Sequence, residues 1–133
     1  LVRHPGWREG YRRTLDLVDR HIAPERVIWM SLGAMRYMPA LKAVIRRRHP
    51  GSAVLHGEFV PGLDGKMRIF KPLRVEMYGW LRELITAWNP DSGLYLCMES
   101  EAVWRDALGW SPGSSSGLAE FLDGRARKVF FML

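Results

Sequence analysis

The sequence predicts an α/β fold. Two observations carry that expectation. Short apolar runs of strand length alternate with longer stretches whose apolar residues recur every three or four positions. The two clearest runs, Val27 to Leu32 and Leu94 to Met98, are continuous rather than alternating, as in parallel strands buried on both faces.

The elements follow in order. Trp7, Tyr11, Leu15, Val18 and Ile22 are spaced by four, four, three and four residues, one apolar face of a helix. Val27 to Leu32 follows as a buried strand, ended by Gly33. The stretch from Met38 to Gly51 predicts a short helix opened by Pro39, with Leu41, Val44 and Ile45 as its buried stripe. Arg46, Arg47 and Arg48 fall in its last turn, where cations suit the helix dipole. Ala53 to Val60 and Lys66 to Phe70 predict two strands of a hairpin, turned at Asp64-Gly65. A long helix begins near Pro72, carries Leu73, Met77, Trp80, Leu81, Leu84 and Trp88, and ends at Asn89-Pro90. The second strand, Leu94 to Met98, leads to Ser100, an N-cap for the helix beyond it. Ser111 to Gly117 has the composition of a flexible linker, with one short helix expected after it.

At 133 residues, 47% of them hydrophobic, the chain is expected to form one domain with a core of its own. It contains no run of about 18 apolar residues, so no membrane span is expected. No secretory signal opens it, and its single cysteine, Cys97, allows no internal disulfide; both point to the cytoplasm. The net charge of +6 fits nucleic acid or another anionic surface as partner, and equally a soluble domain from an arginine-rich proteome. The start at Leu1 and the few buried strands lead to the expectation that further strands lie upstream.

Several stretches bear on chemistry. Gly65-Lys66 is not a phosphate-binding loop, because Met67 stands where the magnesium hydroxyl is needed and Val60 where the first glycine is needed. Lys66, Arg68 and Lys71 cluster after the turn, with Lys66 and Arg68 on one strand face. They either hold phosphates or are ordinary solvated charges. Ser31, Gly33, Arg36 and Tyr37 follow a strand end, the active side of parallel α/β folds, or form a plain turn. Cys97 reads as a small buried hydrophobe rather than a nucleophile. Glu99 is either a site carboxylate or a charge near a helix start. His4, His21, His49 and His56 have no metal-ligand spacing.

Three segments, "ERVIWMSLGAMRYMPALKAVI", "GEFVPGLDGKMRIFKPLR" and "LYLCMES", resemble the C-terminal third of the spore photoproduct lyase family of radical S-adenosylmethionine proteins. The resemblance runs from Trp7 to Pro112. It implies the C-terminal portion of a partial TIM-type barrel with an inserted hairpin, residues 53–70. Residues 1–111 would supply late barrel strands and helices, and residues 112–133 a linker and tail. It implies a parent enzyme that uses a [4Fe–4S] cluster and S-adenosylmethionine to reverse thymine-dimer lesions in DNA. By position, Lys66, Arg68 and Lys71 would contact DNA. Arg36 and Tyr37 would face substrate at the barrel mouth, and Ser31 and Gly33 the cofactor. The family's three-cysteine loop is absent, so no catalytic residue and no metal ligand are expected within these residues. The matching loops of spore-forming members are richer in aromatic and amide residues, which leaves another nucleic-acid substrate open. The competing reading is a stand-alone basic α/β module that binds nucleic acid without catalysis.

Overall fold

The computed structural model describes residues 1–132. The fold is mixed α/β, with five α-helices and two small sheets. Helix α1 (Trp7–His21) enters through Gly6, whose φ of 76° is a left-handed conformation that glycine adopts without penalty. Four of the five residues of its predicted stripe turn inward. Trp7 is buried and meets Trp80 edge to face at 5.2 Å, and Tyr11, Leu15 and Val18 are half-buried. Ile22 has left the helix and is exposed.

Strand β1 (Trp29–Leu32) pairs in parallel with β5 (Gly93–Leu96), in the register Trp29 to Gly93 through Leu32 to Leu96. Burial of β1 on both faces does not hold. Leu32 is buried in the core, whereas Trp29 is 42% exposed and Ser31 is exposed. Two strands offer one covered face, and residues of opposite parity stay outside it.

The second sheet is antiparallel, in the order β2 (Arg36–Tyr37), β4 (Met67–Ile69), β3 (Phe59–Pro61). Arg36 and Tyr37 are therefore ladder residues rather than loop. The expected strand 53–60 is mostly something else. Ser52 Oγ accepts from Val54 N and opens a 3-10 turn over Ala53–Leu55, so pairing begins only at Phe59. The turn itself is as predicted, with Gly65 at φ 75° and Gly62 N donating to Lys66 O at 2.8 Å.

Between the sheets' strands, α2 (Leu41–Arg48) starts after Ala40 instead of Pro39 and buries no residue fully. Its Val44 and Ile45 are half-buried, but Leu41 is exposed.

Helix α3 (Lys71–Trp88) is the spine. Pro72 lies in its first turn, and Met77, Tyr78, Leu81 and Ile85 form its buried stripe together with Arg74. Helix α4 (Glu101–Leu108) has Ser100 as N-cap, accepting from Val103 N, and ends at Gly109 in the left-handed region. Leu32, Leu96, Tyr78, Leu81, Ile85, Val103 and Trp104 belong to one buried cluster formed by the parallel pair, α3 and α4.

Ser111 to Gly117 is not an open linker. Ser114 Oγ accepts from Gly117 N at 3.0 Å, and α5 (Ser115–Met132) starts within the segment. Trp110 packs at a tilt against Phe121, ring centroids 4.6 Å apart, while Arg125 donates to Asp91 O and Lys128 pairs with the Asp91 carboxylate. Thus α5 runs back along β5 toward its amino end. None of the described helices is long and apolar enough to cross a membrane.

Candidate functional site

The carboxyl ends of β1 and β5 gather the polar chemistry. Two residues one turn apart on α3, Arg74 and Tyr78, reach this end from the buried stripe. Tyr78 Oη accepts from Ala34 N at 2.8 Å and donates to Glu99 Oε1 at 2.8 Å. Arg74 Nε lies 2.9 Å from Glu99 Oε1, its Nη2 3.3 Å from Oε2, and its Nη1 donates to Ile69 O. The Glu99 side chain is only 3% exposed. Two α3 side chains therefore tie the residues that follow β1 and β5 to the last residue of β4. Burial, and then the Glu99 charge beside it, hold the Tyr78 hydroxyl well above its ordinary pKa. It stays protonated, a hydrogen-bond donor and not a base.

Around this tie stands a basic rim. Arg36 and Arg68 are cross-strand partners in β2 and β4. Arg68 Nη1 donates to Met98 O at 3.2 Å, and Arg36 Nη2 lies 2.9 Å from Met98 Sδ. The antiparallel sheet is thereby fastened over the carboxyl end of β5. Met98 has φ 54°, unusual for a side chain of its kind and a local strain of about 1–2 kcal/mol. Arg68 also pairs with Asp64 at 2.5 Å, and Lys66 Nζ sits 3.7 Å from the same carboxylate. The Arg68 hydrogen bond leads the effects that lower the Asp64 pKa to about 2. A shallow, largely open cavity of about 370 Å³ lies beside the rim, lined by Gly33, Ala34, Arg36 and Cys97 among others.

The seven residues singled out from the sequence divide. Arg36, Lys66 and Arg68 come together at the rim. Lys71 does not join them; its Nζ pairs with Asp106 on α4 at 2.8 Å. Tyr37 is buried and meets Phe59 edge to face at 5.1 Å, so it supports the sheet and offers no surface to a ligand. Ser31 lies on the exposed side of β1. Gly33 borders the cavity, but the space a side chain would take there meets Cys97 Cβ at 3.4 Å. Its closeness serves packing between the strands.

Sequence reasoning passed over Arg74 and Tyr78. The signal was present: two polar residues four apart on a stripe with Met77, Leu81 and Ile85 must find buried partners. Glu99 was singled out, and its partners explain it.

No family model, curated protein or solved structure matches this chain.

The donor set also decides what the site can hold. Cys97 is the one cysteine, and among the described residues no three His, Cys, Asp or Glu side chains group to bind a metal. The residues present do not fit a [4Fe–4S] cluster, which takes several thiolates. No step through such a cluster belongs to them.

Proposed function

We propose that this chain is the C-terminal portion of a spore photoproduct lyase-like radical S-adenosylmethionine enzyme. In that reading β1 and β5 are late strands of a partial barrel, the hairpin over their carboxyl ends faces DNA, and the cluster and S-adenosylmethionine are bound mainly by other parts of the protein. The observation that carries the reading is the junction of Arg36, Arg68 and Met98. It fastens a basic antiparallel sheet to the carboxyl end of a parallel pair, the side on which such folds bind ligands. The three segments that resemble the family contain one residue of this junction each, Arg36, Arg68 and Met98. The net charge of +6 suits a polyanionic substrate.

A second reading, a basic module that binds nucleic acid without catalysis, is supported by the same basic rim and the net charge of +6, which call for a polyanion but for no reaction.

The test uses the intact protein, reconstituted anaerobically with iron and sulfide. It is given reductant, S-adenosylmethionine and DNA carrying the spore photoproduct. Loss of the lesion with return of two thymines, dependent on both reductant and S-adenosylmethionine, is the expected result. DNA binding without lesion loss overturns the enzyme reading in favour of the binding module, and no binding overturns both.

A further inference from the structure

We infer that α2 is the phosphate-contacting element of this protein, with Lys42, Arg46, Arg47 and Arg48 set against the backbone of a DNA duplex. The inference rests on the nucleic-acid reading above and moves the main electrostatic contact away from the hairpin.

The reason is how the cations are spent. Lys66 and Arg68 share Asp64, and Lys71 is held by Asp106. On α1, Arg8 pairs with Glu76 and lies over the Trp7 ring, and Arg12 pairs with Glu9 and lies over Trp80; Arg13 and Arg20 are exposed without an ion pair among the described residues, but they stand two turns apart rather than in a cluster. Such cations must give up a partner before they meet a phosphate. The four on α2 are exposed, and among the described residues none has a carboxylate within ion-pair distance.

Their arrangement is directional. Val44 and Ile45 are the half-buried residues of α2. At 3.6 residues per turn, Lys42, Arg46 and Arg47 fall on the side away from them; Arg48, one turn after Val44, falls on its side of the helix but is the last helical residue and is exposed. The helix dipole accounts for cations in the last turn, but not for Lys42 in the first turn, which holds no acid and where a cation is disfavoured. At a rise of about 1.5 Å per residue, Lys42 to Arg48 spans about 9 Å. Over that length one DNA strand presents roughly two to three phosphates. Helix α2 follows β2, which carries Arg36, after three residues.

The experiment follows binding of the intact protein to a fluorescein-labelled duplex by anisotropy across a salt titration. Replacing the three arginines together (Arg46→Ala, Arg47→Ala, Arg48→Ala) is expected to flatten the slope of log affinity against log salt by about two to three units, near 0.9 for each phosphate no longer neutralised. Lys66→Ala with Arg68→Ala is expected to flatten it less. The triple Arg→Lys variant, which keeps the charge, is expected to retain the original slope and guards against loss of fold. An unchanged slope in the triple Ala variant, with duplex still bound, overturns the α2 assignment and leaves the nucleic-acid reading standing. No duplex binding by the unsubstituted protein overturns both. Binding to vesicles of mixed neutral and anionic lipid, with no binding to duplex, overturns the assignment in favour of a membrane surface.

Discussion

Tyr78 joins three parts of the chain with one hydroxyl. It accepts a hydrogen bond from Ala34 N, donates one to Glu99, and is fully buried while doing so. Tyr78→Phe leaves Ala34 N without its acceptor and takes one donor from Glu99, which keeps Arg74, and a loss of about 1–3 kcal/mol in urea unfolding is expected. Glu99→Ala strands the Arg74 guanidinium in the interior and is expected to cost more, about 3–5 kcal/mol. The same hydroxyl makes an alkaline prediction. Its folded pKa lies above the ordinary 10.0, so above that pH the unfolded chain loses a proton that the folded chain keeps. The folded state then binds more protons, and stability falls as pH rises past about 10. Tyr78→Phe should remove part of that fall, measured as urea midpoint against pH. An identical alkaline profile in the variant would contradict the buried, protonated hydroxyl.

At the scale of the hairpin, Asp64 is both turn residue and counter-ion. Its carboxylate accepts from Lys66 N at 3.2 Å and pairs with Arg68 at 2.5 Å. Asp64→Asn removes the charge while keeping a turn-forming side chain. Stability is expected to change little, because solvent screens exposed pairs. Duplex affinity at low salt is expected to rise as Lys66 and Arg68 are released. An unchanged affinity would mean that these cations do not face nucleic acid. The folded carboxyl titrates at about 2 instead of 3.8, so its stabilising effect is present above the ordinary value and fades as pH falls toward 2. A side-chain carboxyl NMR titration reads this directly.

Across the whole molecule, the parallel pair has only two strands, with the antiparallel sheet tied to its carboxyl end. If the proposed enzyme is right, Cys97 is a packing residue beside Gly33 and not a cluster ligand. Cys97→Ser in the intact protein is then expected to leave the iron content after reconstitution unchanged, as measured by colorimetric iron assay. Loss of iron would make Cys97 a ligand. Much of the architecture was legible in the residues. The α1 and α3 stripes, the Ser100 cap, the Asp64-Gly65 turn and the placing of both apolar strands, though not the two-sided burial expected of β1, depend on neighbours within one turn of helix or a few residues of strand. These features express propensity, periodicity and capping, and the sequence by itself determined them. Strand β2, the release of the α2 cations and the pairing of the hairpin cations were decided only by tertiary structure. So was the tie at the mouth, whose partners lie 21 and 44 residues apart. A carboxylate such as Asp106 or Glu99 acquires its meaning from which cation the fold brings to it, and no local pattern encodes that distance.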